Sequence, residues 1–479
     1  MNKHYHLFKK NNRFFIFDSR VLVLAELEAA QYFFMQNPDA DNSEIAKQAG
    51  ITVEAVAVIR AQFEKLFAQG LFISDLPPIQ VTGTGETGFV ALTPMHSCNY
   101  RCKYCFADHG ENYTCSEKTL NTEKIHDSLE YAVNDLFKDK KNIRIELVGG
   151  GENLLAPDIV KEIIEKGAQI CEKAGKRFDV FIVSNGSVMS PEILDLLDNK
   201  YVNLGISLDG PKEVHDYARP LANGAGTYDK VLETIDYVRN NAKNHNLKNV
   251  WGLTVVTAKT ESIMDILRIF KEHGIETVQM RLVRIEESSE FSFANDKVKK
   301  AIKLYSDFVE ELKAQILEDN WDYLKMILND SDYFGKLLMR IIRQELTPHR
   351  CMAGTDKISL AANGDIYPCD AFVGIEKYKL GSLNNSEKVL ESPFYLLTVD
   401  KRDTCSECWA KYVCGGDCPH NAYIHSGDIY EPEDSFCILQ KELIEMGLDL
   451  VNFISAKEAL GKAIYSYVVH RKSINPFMH

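Results

Sequence analysis

Apolar positions recur along this chain with changing period, and each change marks a new region. In residues 1–75, short alternating runs at His4–Lys9 and Arg13–Phe17 flank the turn Asn11-Asn12 and predict a β-hairpin. The period then becomes helical. Leu27–Met35 reads as a helix, and Asn42 or Ser43 caps another that ends at Gly50. Thr52 opens a third helix, with Val56, Ile59, Phe63 and Leu66–Phe67 on one face. Residues 76–87, LPPIQVTGTGET, hold two prolines and two glycines and read as a linker. From 88 to 290, strand candidates alternate with apolar helical stretches: Phe89–Thr93, Arg144–Val148, Asp179–Val183, Val202–Leu208, Val250–Val256 and Thr277–Leu282. Such alternation predicts an α/β fold with a parallel sheet. Six units make a partial barrel. In 296–345, Val298, Ile302, Tyr305, Phe308 and Leu312 keep helical spacing and predict a bridge between domains. The stretch 441–479 opens as a helix through Leu443, Met446, Leu450 and Phe453.

Composition narrows the class. The 479 residues are 45% apolar and 26% charged, as in soluble globular proteins. No run of 18 apolar residues predicts a membrane span, and the N-terminus has no signal-peptide core. A cytoplasmic location is expected. Twelve cysteines there point to metal rather than disulfides. The net charge of −14 argues against nucleic acid as a partner. Residues 1–75 carry 8 Lys+Arg against 9 Asp+Glu, so a DNA-reading helix-turn-helix is disfavoured and a packing domain stays open.

The strongest chemical signal is Cys98-x3-Cys102-x2-Cys105, directly after the first barrel strand. Three thiolates so close can hold three irons of a [4Fe–4S] cluster and leave the fourth without a protein ligand. A structural zinc site normally takes four ligands. Ligands of parallel sheets gather at the carboxyl ends of the strands. Gly150, Gly151 and Glu152 follow the second strand, Ser184 and Asn185 the third, and Ser207 and Asp209 the fourth.

The cysteine triad resembles that of the radical S-adenosylmethionine (SAM) enzymes. The resemblance implies that SAM chelates the open iron and yields a 5′-deoxyadenosyl radical. It implies SAM contacts from Gly150, Gly151, Glu152, Ser184, Asn185, Ser207, Asp209 and Arg219, with Tyr104 against adenine. The usual Gly-Gly-Glu-Pro motif departs here, since Asn153 replaces proline.

A second cysteine field follows: Cys351, Cys369, Cys405, Cys408, Cys414, Cys418 and Cys437, with Gly364 between the first two. It resembles the SPASM domain, an auxiliary-cluster extension, placed at 346–440; a zinc ribbon is the rival. The family pattern assigns Cys405, Cys408, Cys414 and Cys437 to one [4Fe–4S] cluster and Cys351, Cys369 and Cys418 to another, three clusters in all. The latter set is one thiolate short, leaving His349 or a substrate cysteine as the fourth ligand. Cys171 reads as packing, and Cys115 as packing or substrate exchange. Asp370 matches a base in sulfatase-maturating relatives. Residues 1–75 resemble the winged-helix RiPP recognition element, which binds a precursor-peptide leader. The expected architecture is therefore that module, a partial (β/α)6 radical SAM barrel, a helical bridge, a SPASM domain and a helical tail. The expected function is a peptide maturase that installs thioether links, resembling ranthipeptide (SCIFF-type) maturases, served by an external flavodoxin- or ferredoxin-type electron donor. Carbon–carbon cross-linking, subunit maturation of the quinohemoprotein amine dehydrogenase type, and formylglycine formation are the alternatives.

Overall fold

The computed structural model describes residues 5–72, 79, 85–108, 119–383 and 392–474. Cys115 and most of the 76–87 linker lie outside the described residues.

The N-terminal module begins with β1 (Tyr5–Lys10), β2 (Arg13–Asp18) and β3 (Val23–Leu27), joined antiparallel in that order. The hairpin matches its alternating pattern. The third strand takes up Leu27, so the first helix starts only at Ala29. Asp41, not Asn42 or Ser43, caps the next helix, because its carboxylate accepts from Ser43 N at 2.7 Å. Gly50 closes that helix in the left-handed region (φ 68°), and Thr52 caps the third by accepting from Ala55 N. One face of the sheet builds a core of its own with the helices, through Ile16, Phe34, Met35, Val56 and Phe63. The other face, through Phe8, Phe15 and Phe17, belongs to the main core. There His6 stacks flat on Trp409, with centroids 3.7 Å apart, and its Nε2 donates to Glu445 Oε1 at 2.7 Å.

The barrel sheet contains β4 (Thr87–Leu92), β5 (Asn142–Leu147), β6 (Arg177–Ser184), β7 (Val202–Ser207), β8 (Trp251–Val256) and β9 (Thr277–Leu282). They run parallel in chain order, as the alternation predicts. Ile143, Ile145 and Leu147 of β5 pack into the main core. The intervening Arg144 and Glu146 face the other way, where Arg144 pairs with Asp179 at 2.5 Å. Asn203 completes that buried layer by donating to Asp179 at 2.6 Å.

The sheet does not stop at six strands. β10 (Lys357–Leu360) pairs in parallel with β4, and β11 (Asp365–Tyr367) and β12 (Gly381–Ser382) extend it antiparallel. Lys357 reaches Glu146 across the new pairing at 2.5 Å. The predicted bridge is three helices, Val298–Leu317, Asp322–Ile327 and Tyr333–Arg343. Helix Asp434–Ser455 packs on it and runs through the boundary expected at 440; Lys313 pairs with Asp449 at 2.5 Å between them. No described helix is long and apolar enough to cross a membrane.

Because the N-terminal module has its own core, its docking can be loosened without unfolding it. Trp409→Ala removes the His6 stack, an interaction of about 1 kcal/mol. Hydrogen exchange should rise in the face of β1 and β2 that meets the main core, while helix Val53–Ala68 stays protected.

Candidate active site

The turn after β4 carries Cys98, Cys102 and Cys105, and backbone bonds hold it on both flanks. On one side Arg101 N donates to Pro220 O (2.7 Å) and Lys103 N to Ala218 O (2.9 Å). On the other, Glu152 N donates to Ser97 O at 2.9 Å. Gly151 makes this approach possible. A Cβ there would lie 2.0 Å from Met95 O and 2.5 Å from Ser97 O. The sequence assigns this glycine to a ligand; the structure shows it seating the cysteine loop. Burial, with a smaller contribution from the nearby Cys105, raises the pKa of Cys98 and pushes that of Cys102 up to about 12.

Glu152 is 2% exposed and its carboxylate is engaged within the protein. It accepts from Ser184 Oγ (2.8 Å), Asn185 N (2.6 Å) and Leu154 N (3.2 Å). It thus fixes the end of β6. Asn185 then reaches the cysteine loop, donating to Asn99 Oδ1 at 2.9 Å and lying 3.7 Å from Cys98 Sγ. Asn153, the departure from the family motif, donates to Leu147 O (2.8 Å) and Val183 O (3.0 Å). Its amide ties the ends of β5 and β6, a task proline has no N–H to perform.

Tyr104, Asp209 and Arg219 meet in one buried group. The Tyr104 hydroxyl donates to Asp209 Oδ2 and accepts from Arg219 Nη1 at 2.8 Å, and Arg219 lies 3.7 Å from Asp209. Arg219 Nε is buried without a partner. Val255 N donates to Asp209 Oδ1 at 3.0 Å. Ser207 is buried at the end of β7. His215, absent from the sequence reading, supports the group from behind. Its Nδ1 accepts from Asp209 N (3.2 Å), so Nε2 carries the proton toward Thr227 Oγ1 (3.0 Å), which donates to Arg219 O (2.7 Å). Burial, then Arg219, lower the His215 pKa to about 4, so the ring is neutral.

In the second field two sets of thiols can be told apart by which act on one another. Cys405, Cys408 and Cys414 all act on Cys437, which lies in the first turn of helix Asp434–Ser455. Asp417 orders this loop, accepting from Cys418 N (2.6 Å), Asn421 (3.0 Å) and Glu433 N (3.1 Å). Cys369, just past β11, feels Cys418 and Cys351. Arg284 Nη1 donates to Cys418 Sγ at 3.5 Å and lies 5.5 Å from the Phe106 ring, beside Cys105. Asp370 lies 3.8 Å from Lys357. Cys351 is exposed. The charges acting on the His349 ring are those of Arg340, Lys336 and Asp356, not of a cysteine. None of the eleven described cysteines forms a disulfide, and Cys171 is buried in the core as its helical position predicts. Among the described residues, no three His, Cys, Asp or Glu converge on a single-ion site.

Asp417 and Arg284 were beyond sequence reasoning. Nothing in the local pattern around either marks its distant partner, Glu433 at 16 residues from Asp417 and Cys418 at 134 from Arg284. Asn153 did leave a signal, as the odd residue in an otherwise matching motif.

Comparison with known proteins finds one matching family model and several similar chains. Residues 92–265 match the model of the Radical SAM superfamily. The chain is similar to a cysteine-type anaerobic sulfatase-maturating enzyme of Clostridium novyi, 27% identical over 303 residues, covering 60% of this chain and 73% of that protein. It is also similar to the radical SAM cyclopropyl synthase TigE of Paramaledivibacter caminithermalis, 22% identical, covering 74% and 72%. The fold is shared with native anSMEcpe bound to AdoMet and the Kp18Cys peptide, at a TM-score of 0.62 and 20% identity, over 76% of this chain and 98% of that one.

Gly151→Ala should displace the cysteine loop; iron bound by the anaerobically reconstituted protein should fall by the share of one cluster. The neutral His215 sets a pH dependence. Its folded pKa lies below the ordinary value of 6.5, so the unfolded chain binds the extra proton first. Stability should fall as pH drops from 6.5 toward 4, by roughly 3 kcal/mol in full. Urea unfolding at pH 7 and 5 measures this, and His215→Gln should flatten the dependence.

Proposed function

We propose that this chain is a radical SAM maturase that installs thioether cross-links, from cysteine sulfur to carbon, in a ribosomally made precursor peptide. Cys98, Cys102 and Cys105 are the ligands of the SAM-binding [4Fe–4S] cluster. The donor set fits: three mutually interacting thiols in one pinned loop, beside a buried arginine with a spare N–H. Bound together, cluster and SAM supply one-electron chemistry able to remove an unactivated hydrogen. Arg219 is suited to the SAM carboxylate, because its buried Nε–H has no partner among the described residues. Glu152, Ser184 and Asn185 hold the strand ends that border SAM, and the backbone at Gly150–Gly151 closes that border. Ser207 ends the next strand at the same rim.

Cys405, Cys408, Cys414 and Cys437 hold one auxiliary cluster. Cys351, Cys369 and Cys418 hold the second. The observation that carries the thioether reading lies in this second set. It supplies three thiols, its Cys351 is exposed, and His349 answers to Arg340 and Lys336 rather than to the cysteines. A substrate thiol is the ligand that completes it, and ligation to iron would fix and deprotonate that sulfur. The N-terminal module supports a peptide substrate. Among the described residues β3 pairs on one side only, and a leader strand can add to its free edge. The peptide in the anSMEcpe structure supports the same class of substrate.

Formylglycine formation is the second reading, favoured by the sulfatase-maturating relative and by Asp370 beside Lys357. In that reading Asp370 is the base acting on the substrate.

The reconstituted enzyme should convert a cysteine-containing peptide encoded beside its gene to a product lighter by two hydrogens, with one fewer alkylatable thiol. The same mass loss with all thiols intact would establish carbon–carbon coupling instead. An aldehyde in place of the target side chain, lost in Asp370→Asn, would establish the formylglycine reading. His349→Ala should leave the iron content unchanged, and Cys351→Ala should lower it.

A further inference from the structure

One patch of surface lies directly over the cysteine triad, and its charge is opposite to that of the whole chain. Lys103 stands between Cys102 and Cys105 and is exposed, as is Arg101. The Lys103 ammonium lies 3.3 Å from the centroid of the Tyr217 ring. Lys259 approaches the same ring at 5.6 Å. Tyr217 is 43% exposed, large for an aromatic residue, and its hydroxyl donates to Glu290 at 2.6 Å. Glu290 also pairs with Lys259 at 2.5 Å and feels the charge of Lys103, so this one carboxylate is set against Lys103, Lys259 and the exposed Arg101.

Beneath the patch the aromatic contacts continue inward. Tyr217 stacks on buried Phe291 (6.0 Å, 26°), and Phe291 meets buried Tyr104 edge-on (5.8 Å, 65°). Tyr104 precedes Cys105 in the chain. The surface is thus joined to the triad by packed rings and by the cysteine loop itself.

We propose that Lys103, Lys259 and Tyr217 form the docking face for an acidic one-electron carrier protein, of flavodoxin or ferredoxin type. The inference rests on the reading that the triad holds a redox-active cluster. The reduced carrier loses one electron and the triad's cluster gains it, with no proton or group transferred. A chain of net charge −14 repels an acidic partner over most of its surface, so a local basic patch fixes where such a partner settles. The exposed ring gives the contact an apolar centre.

The test compares two reductants on the anaerobically reconstituted enzyme, following the loss of cluster absorbance by stopped flow. Reduced flavodoxin probes the face; photoreduced 5-deazariboflavin, small and uncharged, does not. The double variant Lys103→Glu/Lys259→Glu should be reduced by flavodoxin at least tenfold more slowly at low ionic strength, with a flatter salt dependence. Its reduction by deazariboflavin should match wild type. Equal flavodoxin rates for variant and wild type would overturn the proposal. If the double variant also slows with deazariboflavin, the loop has been disturbed and Lys259→Glu alone decides. It should slow flavodoxin about threefold, and an unchanged rate refutes the face. Wild-type protein that neither reductant can bleach would instead refute the reading of the triad, and the docking face with it.

Discussion

A glycine with no room for a side chain governs this molecule. Gly151 lets the backbone at Met95–Ser97 close against the end of β5. That contact seats the loop that presents three cysteines at the mouth of the barrel. Around it the protein places groups that need each other more than they need solvent. Glu152 fastens Ser184 and Asn185, Asn185 touches the cysteine loop, and Asn153 clamps the two strand ends beneath them. A loop of thiols in free solution would pay a large entropy cost to gather on iron. Here the backbone has met that cost before any ligand arrives.

The sequence revealed the barrel because its strands are buried on both sides and bounded by helical spacing. Thr277–Leu282 coincides with its predicted limits, and the other five strands shift by at most two residues at either end. The first cysteine triad was legible for a different reason: its spacing is local, so three cysteines of one turn act on one another, whereas the two sets of the second field interleave along the chain. What stayed hidden depends on distant partners. β3 is short and half-buried, and nothing in VLAEL separates it from the start of a helix. The pairing of β10 with β4 joins segments 268 positions apart in sequence. Arg284 gains its meaning only from Cys418 and Phe106.

Charge follows the same division. The surface is acidic overall, yet the ground between the two cysteine fields is basic. Arg284, Lys357, Arg350 and Arg340 crowd there, and burial together with Arg350 lowers the Arg340 pKa to about 10. Lys336 is lowered further, to about 7, by burial and by its neighbours Arg340, Arg281 and Arg350. Gathering like charges is unfavourable unless anions share the space. Asp330, Glu345, Glu146 and Asp370 are the anions on hand, and Cys414, Cys418 and Cys369 each also act on one or more of these cations.

The pairing of β10 with β4 carries a consequence for how this protein can be taken apart. β4 leads into the first cysteine loop, and β10, through β11, leads to Cys369. Backbone hydrogen bonds, not a hinge, therefore set the reach from one cysteine field to the other. A chain cut after the helical bridge would bare the flank of β4 as an unpaired edge, a template for aggregation. The C-terminal region is thus no detachable cap, and a chimaera that exchanged it would have to rebuild the sheet on which the first site stands.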